Sequence, residues 1–320
     1  FDVKCGLKQG CLNSPLMFNM YINDLITEIN LLDRGISING KKVSMLLYAD
    51  DIVFVAKCAR DLQCMLDVLN KWCKDWALQV NPSKSKIMHC RKNGRKLTRF
   101  PFKCGTDELE VVKKYRYLGL WFTEHLDFKY MAEQVAASAH RALGLLISKS
   151  KCVGGFPFKC YTKLYQSLVQ SVIDYGSCVW GHKHFSSIAA VQYRAMRSFL
   201  GVHSKTSNTA VLGEMGWTPQ SLLQQLSIGR QCIRYSQMDE DRLNRVIYEW
   251  ASNNRCNNSV NAVKERYVQL DMDEMLDFNV NKSKVYLNIL EDKLMEEFIE
   301  SWYSNFNRLI MQRKDMVKIS

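Results

Sequence analysis

The chain has 320 residues, 47% of them hydrophobic and 24% charged, with 16 glycines and only 5 prolines. That is an ordinary globular composition and excludes collagen-like and low-complexity classes. No apolar run approaches the 18 residues of a membrane helix. Phe1 is followed by no signal-peptide layout, so the chain reads as an intracellular segment cut from a longer polypeptide. The formal net charge of +12 is unevenly placed: residues 1–200 carry 29 Lys and Arg against 16 Asp and Glu, and residues 201–320 are close to neutral. The basic part therefore predicts a polyanionic partner.

In chain order, Ser14-Pro15 predicts a helix start, with Ser14 as N-cap and Pro15 in the first turn. Leu16, Met17, Met20, Tyr21, Leu25 and Ile29 follow at helical spacing. Gly35, Asn39 and Gly40 mark turns. Val43 to Val55 is mostly apolar but interrupted by Asp50-Asp51, which predicts two short strands with the acidic pair at the bend. Leu62, Met65, Leu66, Leu69, Trp72, Cys73 and Trp76 form an amphipathic stripe whose tryptophans are expected in the core. Short strands are expected at Leu78 to Val80 and Ile87-Met88, on either side of the turn Asn81-Pro82-Ser83-Lys84. A basic loop runs from Arg91 to Arg99, and Tyr115 to Phe122 reads as a strand containing Gly119.

From about residue 126 the period becomes helical. Phe128, Met131, Val135, Ala139, Leu143 and Leu146 form one stripe; Tyr161, Leu164, Tyr165, Leu168 and Val172 a second; Ile188, Val191, Ala195, Phe199 and Leu200 a third. Further helices are expected at Leu222 to Ile233, Leu243 to Trp250 and Leu287 to Trp302. The expected fold class is α+β, with strands confined to the first 125 residues and helices after them. Twelve cysteines occur without one Cys-x-x-Cys pair, which fits reduced thiols rather than a disulfide framework. Cys178, His182 and His184 lie close in sequence, but no second cysteine pair completes a zinc pattern.

Asp50 and Asp51 are the residues with the clearest chemical signal. Two adjacent carboxylates between Leu46-Leu47-Tyr48-Ala49 and Ile52-Val53-Phe54-Val55 repel each other, and burial would raise the cost. Hairpin turns usually use Asn-Gly or Asp-Gly instead. A divalent cation such as Mg²⁺, which prefers oxygen ligands, would relieve the repulsion and bring phosphoryl or nucleotidyl transfer within reach. A solvated hairpin tip explains the same residues without metal.

Four boxes then occur in a recognisable order. Tyr48-Ala49-Asp50-Asp51 resembles the Tyr/Phe-x-Asp-Asp box of reverse transcriptases. Gly6-Leu7-Lys8-Gln9-Gly10 with Ser14-Pro15 resembles the family's Gln-Gly and Ser-Pro segment, Asn81-Pro82-Ser83-Lys84-Ser85-Lys86 its Asn-x-x-Lys segment, and Tyr117-Leu118-Gly119 its Tyr-Leu-Gly hairpin. Order and spacing resemble the enzymes of non-LTR (LINE-type) retrotransposons, and the stretch around Tyr175-Gly176 and Trp180-Gly181 resembles the region C-terminal to the polymerase in such elements.

The resemblance implies a partial polymerase palm at 1–125, a small antiparallel sheet backed by helices. It implies an all-α, thumb-like region at 126–205 and leaves a helical region of unassigned role at 206–320. It implies RNA-directed DNA polymerase activity by two-metal nucleotidyl transfer, on an RNA template, a DNA primer and deoxynucleoside triphosphates, in the nucleus or cytoplasm. Asp50 would be the main ligand of two Mg²⁺ ions and Asp51 the accessory one. Tyr48 would lie beside the primer terminus, Gln9 and Gly10 in the nucleotide and template pocket, and Lys84 or Lys86 near the triphosphate. Tyr117, Leu118 and Gly119 would brace the primer. Arg91, Lys92, Arg95, Lys96 and Arg99, and in the helical region Lys149, Lys151, Lys159 and Lys163, are candidates for phosphate contacts.

The family's third carboxylate belongs to a box upstream of Gly6, where neither Asp2 nor Asp24 substitutes. The expectation is therefore a C-terminal fragment of the polymerase region, inactive alone. The alternative is a non-catalytic nucleic-acid-binding remnant of a decayed element.

Overall fold

The computed structural model describes residues 11–254, 259–272 and 283–318. It is an α+β protein in which, among the described residues, short antiparallel strand pairs occur only before residue 124, alongside many helices. Two compact units make up the chain: residues 1–117 with 122–126, and residues 118–121 with 127–320.

The first unit is built on two helices. In α1 (Ser14–Leu31), Pro15 occupies the first turn, where its missing N–H costs nothing. The cap differs from expectation. Asn13 holds that position and Ser14 is already helical, because the Asn13 backbone has turned helical and its carbonyl accepts from Met17 N at 3.0 Å. No side-chain cap bond forms. In α2 (Ala59–Asp75), the Cys58 thiol accepts from Asp61 N, and Asp61 and Lys74 complement the helix dipole at the two ends. Ile22, Leu25 and Ile29 of α1 pack against Met65, Leu69, Trp72 and Cys73 of α2. Each large side chain so buried contributes about 1.5–3 kcal/mol before chain entropy is counted. Trp76, expected in the core, lies at the rim, 37% exposed and stacked on Trp72, because it sits one residue beyond the helix.

The strands lie in four separate pairs: β1 (Ile36–Ile38) with β2 (Lys41–Val43), β3 (Met45–Tyr48) with β4 (Asp51–Phe54), β5 (Lys103–Cys104) with β6 (Asp107–Glu108), and β7 (Lys114–Tyr117) with β8 (Leu120–Thr123). The strands have two to four residues, and among the described residues no pair extends into a wider sheet. The β1–β2 turn is Asn39-Gly40 with φ of +45° and +78°, the pairing that two-residue hairpins favour. Leu78 to Val80 is not a strand. Leu78 N donates back to Cys73 O at 2.8 Å, so its backbone closes the end of α2 instead. Ile87 makes only an isolated parallel bridge to Val111, and Met88 lies in no strand. The stretch expected as one strand, Tyr115 to Phe122, folds back on itself at Leu118-Gly119, where φ is +45° and +82°.

The second unit is helical. α3 (Lys129–Cys152) buries Met131, Val135, Ala139, Leu143 and Leu146, the expected stripe. It ends at Gly154-Gly155, both with positive φ. α4 (Phe158–Tyr165), α5 (Ser171–Asp174), α6 (Ser177–Trp180) and α7 (Ser186–Leu200) complete the core around it. A single π-helical turn, Gln166–Gln170, separates α4 from α5. Its extra residue shifts the buried face. Tyr161, Tyr165, Val169 and Ile173 are buried at four-residue steps, whereas Leu168, expected on the stripe, is 44% exposed. α8 (Asn208–Met215), α9 (Gln220–Ser236), α10 (Leu243–Asn253), α11 (Ser259–Gln269) and α12 (Ser283–Lys318) complete the unit in chain order. No helix among the described residues is long and apolar enough to cross a membrane.

Candidate active site

The β3–β4 hairpin presents the acidic pair. Its register pairs Met45 with Phe54, Leu46 with Val53, Leu47 with Ile52 and Tyr48 with Asp51. Side chains alternate across a strand pair. Met45, Leu47, Ile52 and Phe54 pack against the α1–α2 core, which leaves Leu46, Tyr48, Val53 and Asp51 on the opposite face. Tyr48 is 63% exposed. The connection is the two-residue loop Ala49-Asp50, and both aspartates are exposed. The burial cost implied by the flanking apolar runs is therefore absent, and only the repulsion between neighbouring carboxylates remains.

Ala49 has φ of +51°. A residue with a β-carbon in the left-handed region is strained, and such strain concentrates at functional sites. Asp50 and Asp51 form no salt bridge among the described residues. Two exposed, unneutralised carboxylates side by side offer the oxygen donors that a hard divalent cation takes, so the pair fits such an ion. Among the described residues no group of three or more His, Cys, Asp or Glu gathers to hold a metal.

Tyr117 lies at the end of β7. Its phenol is pushed above the usual range by partial burial and then by the Asp51 carboxylate. The Asn81–Lys84 turn is an Asx turn, with Asn81 Oδ1 accepting from Ser83 N at 3.1 Å and Ser83 Oγ at 2.7 Å. The Tyr115 hydroxyl donates to Lys84 O at 3.0 Å, tying the turn to β7. The Lys84 side chain is exposed. Lys86, by contrast, pairs with Glu110 at 2.9 Å. Gln9 and Gly10 lie outside the described residues.

Leu118 and Gly119 belong to the second unit. There the Tyr175 hydroxyl donates to Leu118 O at 2.8 Å. A Cβ at Gly119 would come within 2.9 Å of the Tyr175 ring, and one at Gly176 within 2.6 Å of Leu120. The segment Tyr175-Gly176 thus clasps the hairpin tip, and Trp180, fully buried, donates its indole N–H to Tyr175 O at 3.2 Å. Tyr175 is visible in the sequence as part of a motif, but its partner lies 57 residues away and no spacing rule connects them.

The basic loop divides. Arg91 is a structural residue: its guanidinium pairs with Glu124 at 2.8 Å with both side chains about nine-tenths buried, and its carbonyl meets His125 Nδ1 at 3.0 Å. It is not available for phosphate. Lys92, Arg95, Lys96 and Arg99 are exposed. So are Lys149, Lys151, Lys159 and Lys163 in the second unit.

Residues 1–122 match the family model described as reverse transcriptase (RNA-dependent DNA polymerase). The chain is 26% identical over 207 residues, 61% of its length, to 22% of a Drosophila melanogaster protein named "Probable RNA-directed DNA polymerase from transposon BS". It is 27% identical over 232 residues, 68% of its length, to 66% of a Nasonia vitripennis protein named "Retrovirus-related Pol polyprotein from type-1 retrotransposable element R1". A similarly named R2 protein of the same species is 24% identical over 128 residues, 38% of this chain and 12% of that protein. The chain spans 22%, 66% and 12% of the length of these three relatives, respectively. Residues 1–122 are thus similar to the reverse transcriptase family, and the chain is similar over part of its length to proteins named for transposon BS and for the type-1 retrotransposable elements R1 and R2.

Proposed function

We propose that this chain is part of an RNA-directed DNA polymerase of a non-LTR element, in which Asp50 and Asp51 bind the divalent ions of nucleotidyl transfer. The observation that carries this is the exposed β3–β4 tip within the family-matched segment, where register sets Tyr48 opposite Asp51. Asp50 is the main ligand and Asp51 the accessory one. Bound there, two Mg²⁺ ions would activate the primer 3′-hydroxyl and balance charge on the triphosphate. Tyr48 flanks the primer terminus from the exposed face of the hairpin. Lys84 is the better placed of the two lysines for the triphosphate, since Lys86 is held by Glu110. Gln9 and Gly10 line the nucleotide and template pocket, and Tyr117, Leu118 and Gly119 brace the primer strand. Residues 1–125 form part of a palm and 126–205 a thumb, with 206–320 a helical region of unassigned role. RNA template, DNA primer and deoxynucleoside triphosphates are the partners, met in the nucleus or cytoplasm.

The test is primer extension on an RNA template with Mg²⁺, using the parent polypeptide with its upstream sequence restored. Asp50→Asn lowers the rate by at least about 100-fold, since even outer-shell metal partners are worth 10–100-fold. Residues 1–320 alone give no extension, because the resemblance calls for a third carboxylate upstream of Gly6. Equal rates for parent and variant overturn the assignment. A parent that binds nucleic acid but never extends a primer supports the non-catalytic remnant instead.

A further inference from the structure

The second unit contains a cavity of about 330 Å³ that the polymerase reading does not use. That is within the size of small-ligand pockets. Three aromatic rings, Phe158, Tyr165 and Trp217, and three amides, Gln166, Gln170 and Gln192, line it, and among the described residues no charged side chain does. Trp217 is fixed in place: it stacks on Tyr165 at 4.4 Å and donates its indole N–H to Thr162 Oγ1 at 3.2 Å. Gln192 is also committed, donating to Thr218 O at 2.8 Å and accepting from Gln220 N at 3.0 Å. Gln166 is exposed, and Gln166 and Gln170 are the two ends of the π-helical turn. Such turns are rare and recur at functional sites. The Tyr165 hydroxyl is fully buried with no hydrogen-bond partner among the described residues.

The chemistry of this wall is selective. Aromatic faces favour a flat ligand, primary amides both donate and accept, and the lack of charge excludes an ion from the cavity itself. Lys159 and Lys163 are exposed on α4, each one residue beyond a lining residue, Phe158 and Thr162. A nucleotide joins such a flat, neutral, hydrogen-bonding group to an anion. We propose that this cavity takes one unpaired base of a single-stranded nucleic acid, with Lys159 and Lys163 on the flanking phosphates. This rests on the reading of the chain as a nucleic-acid enzyme and adds to it a base-holding site remote in sequence from Asp50 and Asp51.

The experiment measures affinity of the full chain for a short single-stranded oligonucleotide carrying 2-aminopurine, beside the same strand made abasic at those positions, in RNA and DNA forms. Fluorescence quenching and tighter binding of the base-bearing strand are expected. Phe158→Ala lowers that affinity about 5- to 150-fold, the range found for stacked bases, and, independently, Gln166→Leu on an exposed position lowers it about 2- to 13-fold, the worth of one hydrogen bond. Their salt dependence stays that of the wild type. Lys159→Ala instead weakens base-bearing and abasic strands alike and reduces the salt slope by about one. Equal affinity for base-bearing and abasic strands, or unchanged affinity in both cavity variants, overturns the proposal and leaves the polymerase reading standing. Failure to bind any strand overturns the proposal, and primer extension by the restored parent then decides the other reading separately.

Discussion

Ala49 shows a single residue held against its own backbone preference. Hairpin loops place Gly or Asn where φ is positive, yet here a residue with a β-carbon sits at +51° immediately before the acidic pair. Left-handed backbone costs a non-glycine residue about 1–2 kcal/mol. Ala49→Gly is therefore expected to raise unfolding stability by about 1 kcal/mol, read by denaturant titration, without raising polymerase activity in the parent protein. An unchanged midpoint would show that the loop carries no such strain. At the same scale, Arg91 shows where charge alone misleads. It reads as one more cation in a basic loop. Glu124, its partner, is 33 residues away, and only the fold brings the two together.

At the scale of elements, helical periodicity is reliable until a helix changes pitch. The α3 stripe is buried as its spacing implies, because one regular helix meets one core. The second stripe fails at Leu168 because the π-helical turn adds a residue, and nothing in a run of Gln, Ser, Leu and Val announces it. The two neighbours should therefore respond differently to truncation. Val169→Ala, at a site with no exposed surface, destabilises by about 1–3 kcal/mol, while Leu168→Ala stays within about 0.5 kcal/mol. Thermal unfolding of the two variants checks it. The hairpin β3–β4 is more legible in the sequence, since two short apolar runs around an acidic pair allow few alternatives. Its register, which decides that Tyr48 and Asp51 share the exposed face, comes from the apolar residues that must meet α1 and α2.

Across the whole molecule, each unit has its own core. The second unit also has a titration of its own. Burial holds the Asp174 carboxyl above the ordinary carboxylate range, opposed by hydrogen bonds from Gln220 at 2.7 Å and from Gln170, and by the Arg230 charge. The folded state thus binds the proton more tightly than the unfolded chain. The contribution of this group is fully present below the ordinary carboxylate value and is lost as pH rises through the raised one. Stability measured by denaturant from acid toward neutral pH should show that loss. Asp174→Asn, which keeps an oxygen acceptor for Gln220, should remove it, and an identical pH profile in the variant would refute the assignment.

Composition, period and four short boxes were enough, without coordinates, to expect an α+β chain, most of its longer helices and the acidic doublet on a bend, though not α6, α8 or α11. Those features depend on residues within a few positions of one another, where side-chain pattern and backbone preference act directly. Four features required the fold: the exposure of Asp50 and Asp51, the approach of Tyr117 to Asp51, the burial of Arg91, and the cavity walled by α4, the π-helical turn and Trp217. Each depends on groups tens of residues apart, and packing alone determines which of them meet.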